Sequence, residues 1–596
     1  MISKTDSLPK WDLTDLYAGR EDPQLETDLT ATRAAAAAFE SRYRGTIATA
    51  ELTAGHLRAA LDAYESLLRQ EYRPQAYAML LYSTDTRDAG RGALLQRVRE
   101  FGSSVAARLV FFELEIARIP TPTYASVAAS PELERYRHYL EHQRRLAAHY
   151  LSEPEERLLV ETANARGQAF ARLFTEINGR TQYRLDDHGE TRELNQSELL
   201  ALLYHPEREH RAAAARALTD GLQRNAHVCT FVYNTLMHEK DVLDRLRSYP
   251  SPETSRHLDN ELDPEVVETV TSVCTANYGT VARYYHLKRE LLGLDQLVHY
   301  DRYAPIAGEQ SEIPFAQARD LVLAAFGQFS PRLVEIAEPF FERRWIDAEA
   351  ADGKRGGAFC AGITPDLHPY VLMNYTGQPR DVMTLAHELG HGIHDVMAAG
   401  NHLLDYHPVL PMAETASTFA EMLVFDHLQQ TLTSDSERLA LLCSRIEGTF
   451  ATVFRQTAMF RFEQNAHQAR REQGELATEK LNGLWQAAMQ DMFGDSLTLG
   501  DDHGWWWLYI PHVISTPFYV YAYAFGELLV LSLYARYQLE GADFVDRYFR
   551  LLEAGGAAPP ACLLERLGVD IADRAFWQGG CDQIRGLVDR AQDLAR

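Results

Sequence analysis

Long stretches in which apolar residues recur every three or four positions limit what this chain can fold into. Such spacing predicts α-helices with one apolar face. Four of these stretches, rich in Ala, Leu, Glu and Arg, lie in the N-terminal part: Ala31–Tyr43, Leu57–Tyr72, Ala93–Arg118 and Leu133–Ala171. Their only proline, Pro154, suits the first turn of a helix and can open a second helix in the last stretch. The pattern predicts a mostly helical fold.

A β-like segment interrupts the helical pattern. Gln182–Leu185 and Thr191–Leu194 flank Asp186–Glu190, which contains a glycine, and together they predict a short hairpin. The hairpin lies between two helical parts of the chain. We therefore predict an N-terminal helical domain, residues 1–200, and a C-terminal domain, residues 201–596.

Charge and cysteine content narrow the classes of function. The 596 residues carry a net charge of −25, from 59 basic and 84 acidic residues. This charge repels nucleic acid and anionic membranes, so neither is an expected partner. Six widely spaced cysteines form no CxxC pair, which argues against a cysteine-ligated metal. They predict free thiols in a reducing cytosol, and we expect a cytoplasmic protein.

One segment, Phe518–Ala535, is apolar and long enough to span a bilayer. Glu527 lies near its middle, and a carboxylate there is expensive in lipid. The segment is therefore predicted to be a buried helix that lines an active site.

The strongest chemical signal is His387-Glu388-Leu389-Gly390-His391. The surrounding Val382–Ala399 has no proline, follows Asp381, a suitable N-cap, and precedes Gly400, a suitable residue after a helix end. Residues four apart share a helix face, about 6 Å apart along the axis, so both imidazoles can reach one tetrahedral zinc ion. Glu388 can then reach a water molecule at the metal and act as general base. The alternative is an exposed face of glutamate and histidine.

The third ligand decides the class of zinc site. A metzincin would need glycine at position 394 and histidine at position 397, but this chain has His394 and Met397. Glu414 and Glu421 lie seven residues apart in Met412–Glu421, which has the pattern of one helix, so they share a face. Buried carboxylates need a partner. We assign Glu414 as third ligand and Glu421 as an outer group that orients a histidine. A pair of solvated glutamates is the alternative.

Five segments resemble the oligoendopeptidase F group of the thimet-oligopeptidase-like zinc peptidases: Arg380–His394, Ala413–Phe419, Trp11–Tyr17, Tyr300–Ile306 and Gly353–Ala358. The resemblance runs from about residue 11 to the C-terminal region. It implies a large helical zinc-peptidase fold with a deep substrate channel, of which the N-terminal part forms a lid or wall. It also implies one zinc ion per chain and cleavage of short peptides rather than folded proteins.

An aromatic run near the C-terminus offers groups that can stabilise a transition state. Histidine and tyrosine are neutral donors suited to a developing oxyanion. The resemblance places a histidine, matched by His512, and tyrosines of this region at the active site. Tyr519 and Tyr523 are four apart on the proposed helix and can face one cleft, so we assign them to catalysis and Tyr521 to substrate binding. The spacing does not settle which tyrosine fills which role, and an aromatic core is the alternative for each.

Two glycines precede a predicted strand beside the His387 helix. Gly356 and Gly357 predict a tight turn, and Pro369–Tyr375 predicts a strand. The glycines can let the backbone approach an extended peptide, which would pair with Pro369–Tyr375 as the sheet edge. A plain turn before a strand explains them equally well.

These residues predict a zinc-dependent endopeptidase for short unstructured peptides. His387, His391 and Glu414 hold zinc, and Glu388 takes a proton from the attacking water and passes it to the leaving amine. Zinc, His512 and a tyrosine stabilise the oxyanion. The alternatives are a metallo-carboxypeptidase or dipeptidyl carboxypeptidase on a related scaffold, and a peptide-binding protein with a structural zinc. Glu388 argues against the last, because a closed structural site needs no base.

Overall fold

The computed structural model of the protein describes residues 8–306 and 312–596. Its elements before residue 307 are α1 (Pro23–Tyr43), α2 (Ala54–Thr84), α3 (Ala89–Ala117), α4 (Thr121–Ala128), α5 (Arg137–Leu146), α6 (Glu153–Thr162), α7 (Gly167–Arg180), β1 (Tyr183–Asp187), β2 (Glu190–Leu194), α8 (Gln196–Leu202), α9 (Arg208–Leu246), α10 (Thr254–Asp259), α11 (Pro264–Ala276) and α12 (Tyr278–Leu291). Most of these residues are helical, as the sequence predicts.

The second half is built in the same way around one small sheet. Its elements are α13 (Phe315–Phe329), α14 (Pro331–Glu342), β3 (Ile346–Glu349), β4 (Phe359–Ala361), β5 (Tyr370–Tyr375), α15 (Pro379–Ala398), α16 (Leu410–Ala413), α17 (Thr415–Thr431), α18 (Asp435–Thr452), α19 (Phe454–Gln473), α20 (Thr478–Phe493), α21 (His512–Ser515), α22 (Tyr521–Glu540), α23 (Ala542–Glu553), α24 (Pro560–Glu565) and α25 (Arg574–Leu594). The predicted fold class, mostly helical with a small β element beside the His387 helix, is confirmed.

The stretch Leu133–Ala171 is not one helix but several. It contains α5, α6 and the start of α7, and Pro154 lies in the first turn of α6 as its chemistry favours. Carboxylates of α6 accept the backbone N–H groups just before it: Glu156 from Leu151 at 2.9 Å and Glu155 from Ser152 at 2.8 Å. These bonds fix a new helix start, which periodicity alone does not locate.

The chain divides into two compact units, each assembled from three segments. Unit 1 comprises Met1–Glu161, Gln310–Leu428 and Arg536–Val569, and unit 2 comprises Thr162–Glu309, Gln429–Ala535 and Asp570–Arg596. The domain division predicted at residue 200 stays a prediction.

Unit 1 has an aromatic core between its first three helices. Phe39 of α1 and Tyr64 of α2 both pack on Phe112 of α3, with ring centroids 5.1 and 4.9 Å apart. Tightly packed aromatic rings of this kind dominate the burial energy of a helical layer. The same unit carries the three-stranded sheet and α15.

The sheet of unit 1 has the order β3–β5–β4. The central strand β5 pairs parallel with β3 and antiparallel with β4. The prediction that Pro369–Tyr375 is the sheet edge is therefore wrong: β5 is flanked on both sides, and β4 is an edge strand. Helix α15 packs on β4, β5 and α14. Gly392 permits this approach, since a β-carbon there would lie 2.5 Å from the Phe340 ring.

Unit 2 is organised around the long helix α9 and confirms the predicted hairpin. Strands β1 and β2 pair from Tyr183–Leu194 to Asp187–Glu190, so the turn is the two residues His188 and Gly189, shorter than predicted. The hairpin lies tightly on α9: a β-carbon at Gly221 would fall 2.3 Å from the Tyr183 ring. The open end of the hairpin is thus held closely against α9.

Helix α22 is the apolar segment that the sequence singles out. Its side chains from Tyr521 to Tyr534 are buried except that of Tyr523, which is half-buried. Glu527 accepts hydrogen bonds from Arg445 at 2.9 Å and Thr449 at 3.1 Å. The buried carboxylate is thus paired inside the protein. Within residues 8–306 and 312–596, no helix combines the length and the apolar character that a membrane crossing requires.

Candidate metal centre and active site

Helix α15 carries two histidines of the candidate site, His387 and His391. It begins at Pro379, three residues before the predicted Val382, because proline lacks the N–H that a first turn leaves unpaired. Asp381 is therefore not the N-cap. It lies in the first turn, where its carboxylate accepts the N–H groups of Thr376 at 2.7 Å and Gln378 at 3.1 Å. This capping arrangement fixes the entry of the chain into the helix.

The sequence predicts one helix over Met412–Glu421, but the structure shows two. The segment breaks at Glu414, between α16 and α17. The start of α17 lies directly on α15, because a β-carbon at Gly390 would be 2.5 Å from the Cα of Ser417. The break at this contact leaves Glu414 outside the regular helix and brings its carboxylate beside the histidines of α15.

Three side chains converge at this point: His387, His391 and Glu414. The two Nε2 atoms of the histidines are 3.2 Å apart, and Glu414 Oε2 lies 3.3 Å from that of His387 and 3.5 Å from that of His391. Two imidazole nitrogens and one carboxylate oxygen are the donor set of a catalytic zinc-type site, which keeps a fourth position open. These residues fit a divalent metal ion.

The other ring nitrogen of His387 is held by an outer partner. Glu421 Oε1 lies 2.6 Å from His387 Nδ1, while His391 is hydrogen-bonded to the backbone of Ala413. Such outer bonds fix the ring orientation and leave Nε2 to face the metal position. Burial lowers the pKa of His387, but the hydrogen bond and charge of Glu421, with Glu414, outweigh it and raise that pKa to about 9. The cluster therefore attracts positive charge.

Glu388 lies beside the cluster without joining it. It is buried and lines the same pocket, but its carboxylate is not among the three converging groups. Burial raises the pKa of Glu388 to about 7, against the opposing charge of His387. A carboxylate in this environment can accept a proton near neutral pH.

The pocket at the cluster has a volume of about 410 Å³. Besides the metal-binding side chains it is lined by β4 residues, His394, Asp395 and His407. Sequence reasoning missed Asp395, although it lies four residues after His391 and therefore on the same helix face. Burial raises its pKa to about 7. The pocket thus has a carboxyl group in its wall as well as the metal-binding face.

The two glycines lead into the edge strand. Gly357 has φ +79°, and the side chain of Asn374 donates hydrogen bonds to the carbonyls of Arg355 and Gly357, each at 2.9 Å. Gly356 and Gly357 are exposed, and β4 follows at Phe359. The turn therefore presents β4 next to the metal-binding residues.

His512, Tyr519 and Tyr523 form a second group, which belongs to unit 2. Tyr523 Oη lies 3.4 Å from His512 Nε2, and the ring centroids of Tyr519 and Tyr523 are 4.7 Å apart. The expected helical i, i+4 pairing is wrong, since Tyr519 precedes α22. Burial, followed by the charge of Arg455, lowers the pKa of His512, which favours the uncharged form of its imidazole. The structure brings these three predicted residues together.

A buried carboxylate that the sequence did not reveal fixes the loop before α22. Phe518 has φ +58°, a conformation that side-chain-bearing residues adopt at a cost. Its N–H donates to Glu463 Oε1 at 2.9 Å, and the His467 ring packs on the Phe518 ring with centroids 4.7 Å apart. Glu463 is fully buried, which raises its pKa to about 8. This contact positions Tyr519 relative to α22.

Tyr521 is separate from the other tyrosines. Its ring is buried, and its hydroxyl accepts a hydrogen bond from Asn260 at 2.8 Å and lies 3.1 Å from His257 Nδ1. A side chain enclosed in this way offers no surface to a peptide. The prediction that Tyr521 binds substrate is therefore corrected to a role in the core.

Comparisons with known proteins agree with this geometry. A family model described as Peptidase family M3 matches residues 201–582, and one described as Oligopeptidase F matches residues 115–183. Oligopeptidase PepF of Bacillus subtilis is 27% identical, covering 93% of this chain and 83% of that protein. An oligoendopeptidase F homolog of Lactococcus lactis is 27% identical over 98% of both chains.

The fold also matches solved structures. The crystal structure of oligoendopeptidase-F from Enterococcus faecium superposes with a TM-score of 0.72 at 21% identity, covering 96% of this chain and 97% of that one. The resemblance to oligoendopeptidase F and the prediction of a metallopeptidase are confirmed. Because the first family model covers well over half of the sequence, the chain belongs to peptidase family M3.

Proposed function

We propose that this member of family M3 is a zinc endopeptidase that hydrolyses internal bonds of short, unstructured peptides. The observation that carries the proposal is the convergence of His387, His391 and Glu414 in one pocket with the separate carboxylate Glu388. A ligand set with an open position and a neighbouring base is the arrangement of hydrolytic metal sites, whereas a structural site is closed.

Zinc is the metal that this donor set favours, because two imidazoles and one carboxylate are ligands that suit it. When bound, the metal supplies Lewis acidity, which polarises the scissile carbonyl and makes water a stronger acid. Glu421 keeps the His387 ring oriented for this role through the 2.6 Å contact at Nδ1.

Glu388 carries the proton in the reaction. Its carboxylate takes a proton from the attacking water while the water oxygen bonds to the scissile carbonyl carbon. It then gives that proton to the leaving nitrogen as the C–N bond breaks, so Glu388 returns to its starting state. Its position beside the ligands, but outside the set, suits it to this transfer, and a hydrogen bond from the Cys360 backbone helps to hold its carboxylate.

The edge strand β4 is the proposed binding surface for the substrate backbone. An extended peptide can pair with a free edge as an added strand, and β4 lines the pocket together with the metal-binding residues. Such pairing requires an unfolded segment, which accounts for short peptides as substrates. The predicted deep channel and N-terminal lid stay part of this proposal.

His512, Tyr519 and Tyr523 are the proposed donors to the developing oxyanion. The Tyr523 hydroxyl lies 3.4 Å from His512 Nε2, and burial lowers the pKa of that imidazole, which suits both groups to donate rather than to carry charge. We also propose the cytoplasm as the compartment, because all six cysteines are free thiols.

The proposal is tested with an internally quenched peptide of about ten residues, blocked at both ends, a length suited to strand-like pairing. We expect cleavage at internal bonds, loss of cleavage with a chelator, and recovery when Zn²⁺ is restored. Cleavage of free-ended peptides alone would instead indicate an exopeptidase. Binding of the blocked peptide without any cleavage by zinc-loaded protein would contradict the enzymatic proposal.

A further inference from the structure

A second group of metal-binding side chains lies in unit 2, at the tip of the β1–β2 hairpin. Its members are Asp187, His188 and His210, whose donor atoms all lie within 4.8 Å of one another. His210 Nδ1 is hydrogen-bonded to Asp187 Oδ2. His188 Nε2 lies 3.8 Å from Asp187 Oδ1, and the two imidazole rings are 4.7 Å apart between centroids.

The fold brings these three residues together from distant places in the sequence. Asp187 ends β1 on the inward face, the face that also carries the buried Tyr183 and Leu185. His210 lies in the first turn of α9, on which the hairpin packs closely. The side chain of Asp187 is only 7% exposed, so its carboxylate requires compensation from a cation or from donors.

His188 occupies a turn position that suits another residue better. His188 and Gly189 have φ +47° and +83°, the two positive values of a type I′ hairpin turn. Asparagine and aspartate are the preferred side-chain-bearing residues there, so the turn alone does not require a histidine. Its imidazole instead lies beside Asp187 and 3.9 Å from Glu209 Oε2.

Further ligand types surround the three residues. Glu207 Oε2 lies 3.4 Å from His210 Nε2, and the His205 ring is 4.2 Å from that of His210 between centroids. A fourth ligand is therefore available from a neighbouring carboxylate. The Arg192 guanidinium, 3.8 Å from Asp187, is the one opposing charge among the described contacts of this group, and its side chain is half exposed and can turn toward solvent.

We propose that Asp187, His188 and His210 form a second site for a divalent transition-metal ion, with the ligand chemistry of zinc. Two imidazoles and a carboxylate match the zinc donor set, and the carboxylate of Glu209, 3.9 Å from His188 Nε2, is available as the fourth ligand. The ion compensates the buried charge of Asp187 and links the hairpin tip to the first turn of α9. The role is structural, since it fastens two elements that pack within unit 2.

Metal content measured after equilibration with Zn²⁺ and removal of excess ion tests the proposal. We expect wild type to retain two equivalents, whereas His210→Ala and His188→Asn each retain one. Asparagine suits the type I′ turn, so His188→Asn removes the imidazole without disturbing the backbone. His227→Ala, an exposed histidine later in α9, is the matched control and should retain two equivalents.

The peptidase site is monitored in the same samples. Both variants of the hairpin site should keep peptide hydrolysis within about twofold of wild type, because neither side chain belongs to the His387 cluster or is its proposed base. His391→Ala should lose the other equivalent and keep the hairpin ion. One equivalent in wild type, or two equivalents retained by either His188→Asn or His210→Ala, would overturn the assignment.

Discussion

The two histidine–carboxylate clusters contain the same ligand types but differ in how they are held. In the first cluster, His387 and His391 lie one turn apart on α15. The contact of α17 with α15 at Gly390 brings Glu414 beside them. Asp187, His188 and His210 come from a hairpin turn and the first turn of a helix. Helix geometry thus sets the histidine pair of the first cluster, and docking adds only its carboxylate. In the second cluster, docking brings the two histidines themselves together.

The surroundings of the clusters differ more than their ligands. Beside the first lie Glu388, an outer carboxylate on His387, and a pocket bordered by an edge strand. Beside the second lie Arg192 and the exposed carboxylates Glu207 and Glu209. A ligand set therefore predicts metal binding, whereas a base, a pocket and substrate contacts are needed to predict hydrolysis.

Replacing a ligand in each cluster should separate the two roles most strongly. His391→Ala should abolish peptide hydrolysis, because one imidazole and the carboxylate do not keep a catalytic ion in place. His210→Ala should leave kcat/KM near wild type. Parallel measurements of kcat/KM and metal content check this, and strong loss of activity in His210→Ala would remove the distinction between the clusters.

Removing a proposed hydrogen-bond donor to the oxyanion should leave the His387 cluster able to bind metal but with much lower activity. Tyr523→Phe should lower kcat by about 10²–10³-fold, the usual effect of one oxyanion donor, with metal content unchanged. Tyr521→Phe is the matched control: it should cost about 1–3 kcal/mol of stability, because its buried partners lose their hydroxyl, but leave kcat unchanged. Steady-state kinetics with thermal unfolding measures both, and equal effects on kcat would refute the assignment of Tyr523.

The outer carboxylate of the first cluster should have the smallest effect. Glu421→Gln should weaken metal affinity or activity by about 10–100-fold, because the neutral amide supports the His387 imidazole less strongly. Glu338→Gln, an exposed carboxylate of α14, serves as control. Metal titration against a competing chelator measures the change. Unaltered affinity in Glu421→Gln would mean that the 2.6 Å contact has no part in metal binding.

The sequence reveals those features that depend on local spacing. The His387–His391 pair is readable because a helix places residues four apart on one face, and Pro154 marks a helix start for an equally local reason. Local spacing does not reveal the cluster of Asp187, His188 and His210. Its ends lie 23 positions apart in the sequence, and only the packing of β1 on α9 brings them together.

Errors in the predicted site have the same origin. The break at Glu414 and the central position of β5 depend on contacts with α15 and with two other strands, which no local pattern encodes. The enclosure of Tyr521 by Asn260 and His257 is likewise tertiary. Helix content and the metal-binding motif could therefore be predicted, whereas strand order and the orientation of individual tyrosines could not.

Glu388→Gln, measured together with its metal content, tests most directly whether Glu388 is the general base. We expect this variant to retain the metal of the His387 cluster, fold as wild type, and lose about 10²–10⁴-fold in kcat on an end-blocked peptide, the usual contribution of a general base. Full activity of Glu388→Gln with metal retained would contradict the claim that Glu388 carries the proton.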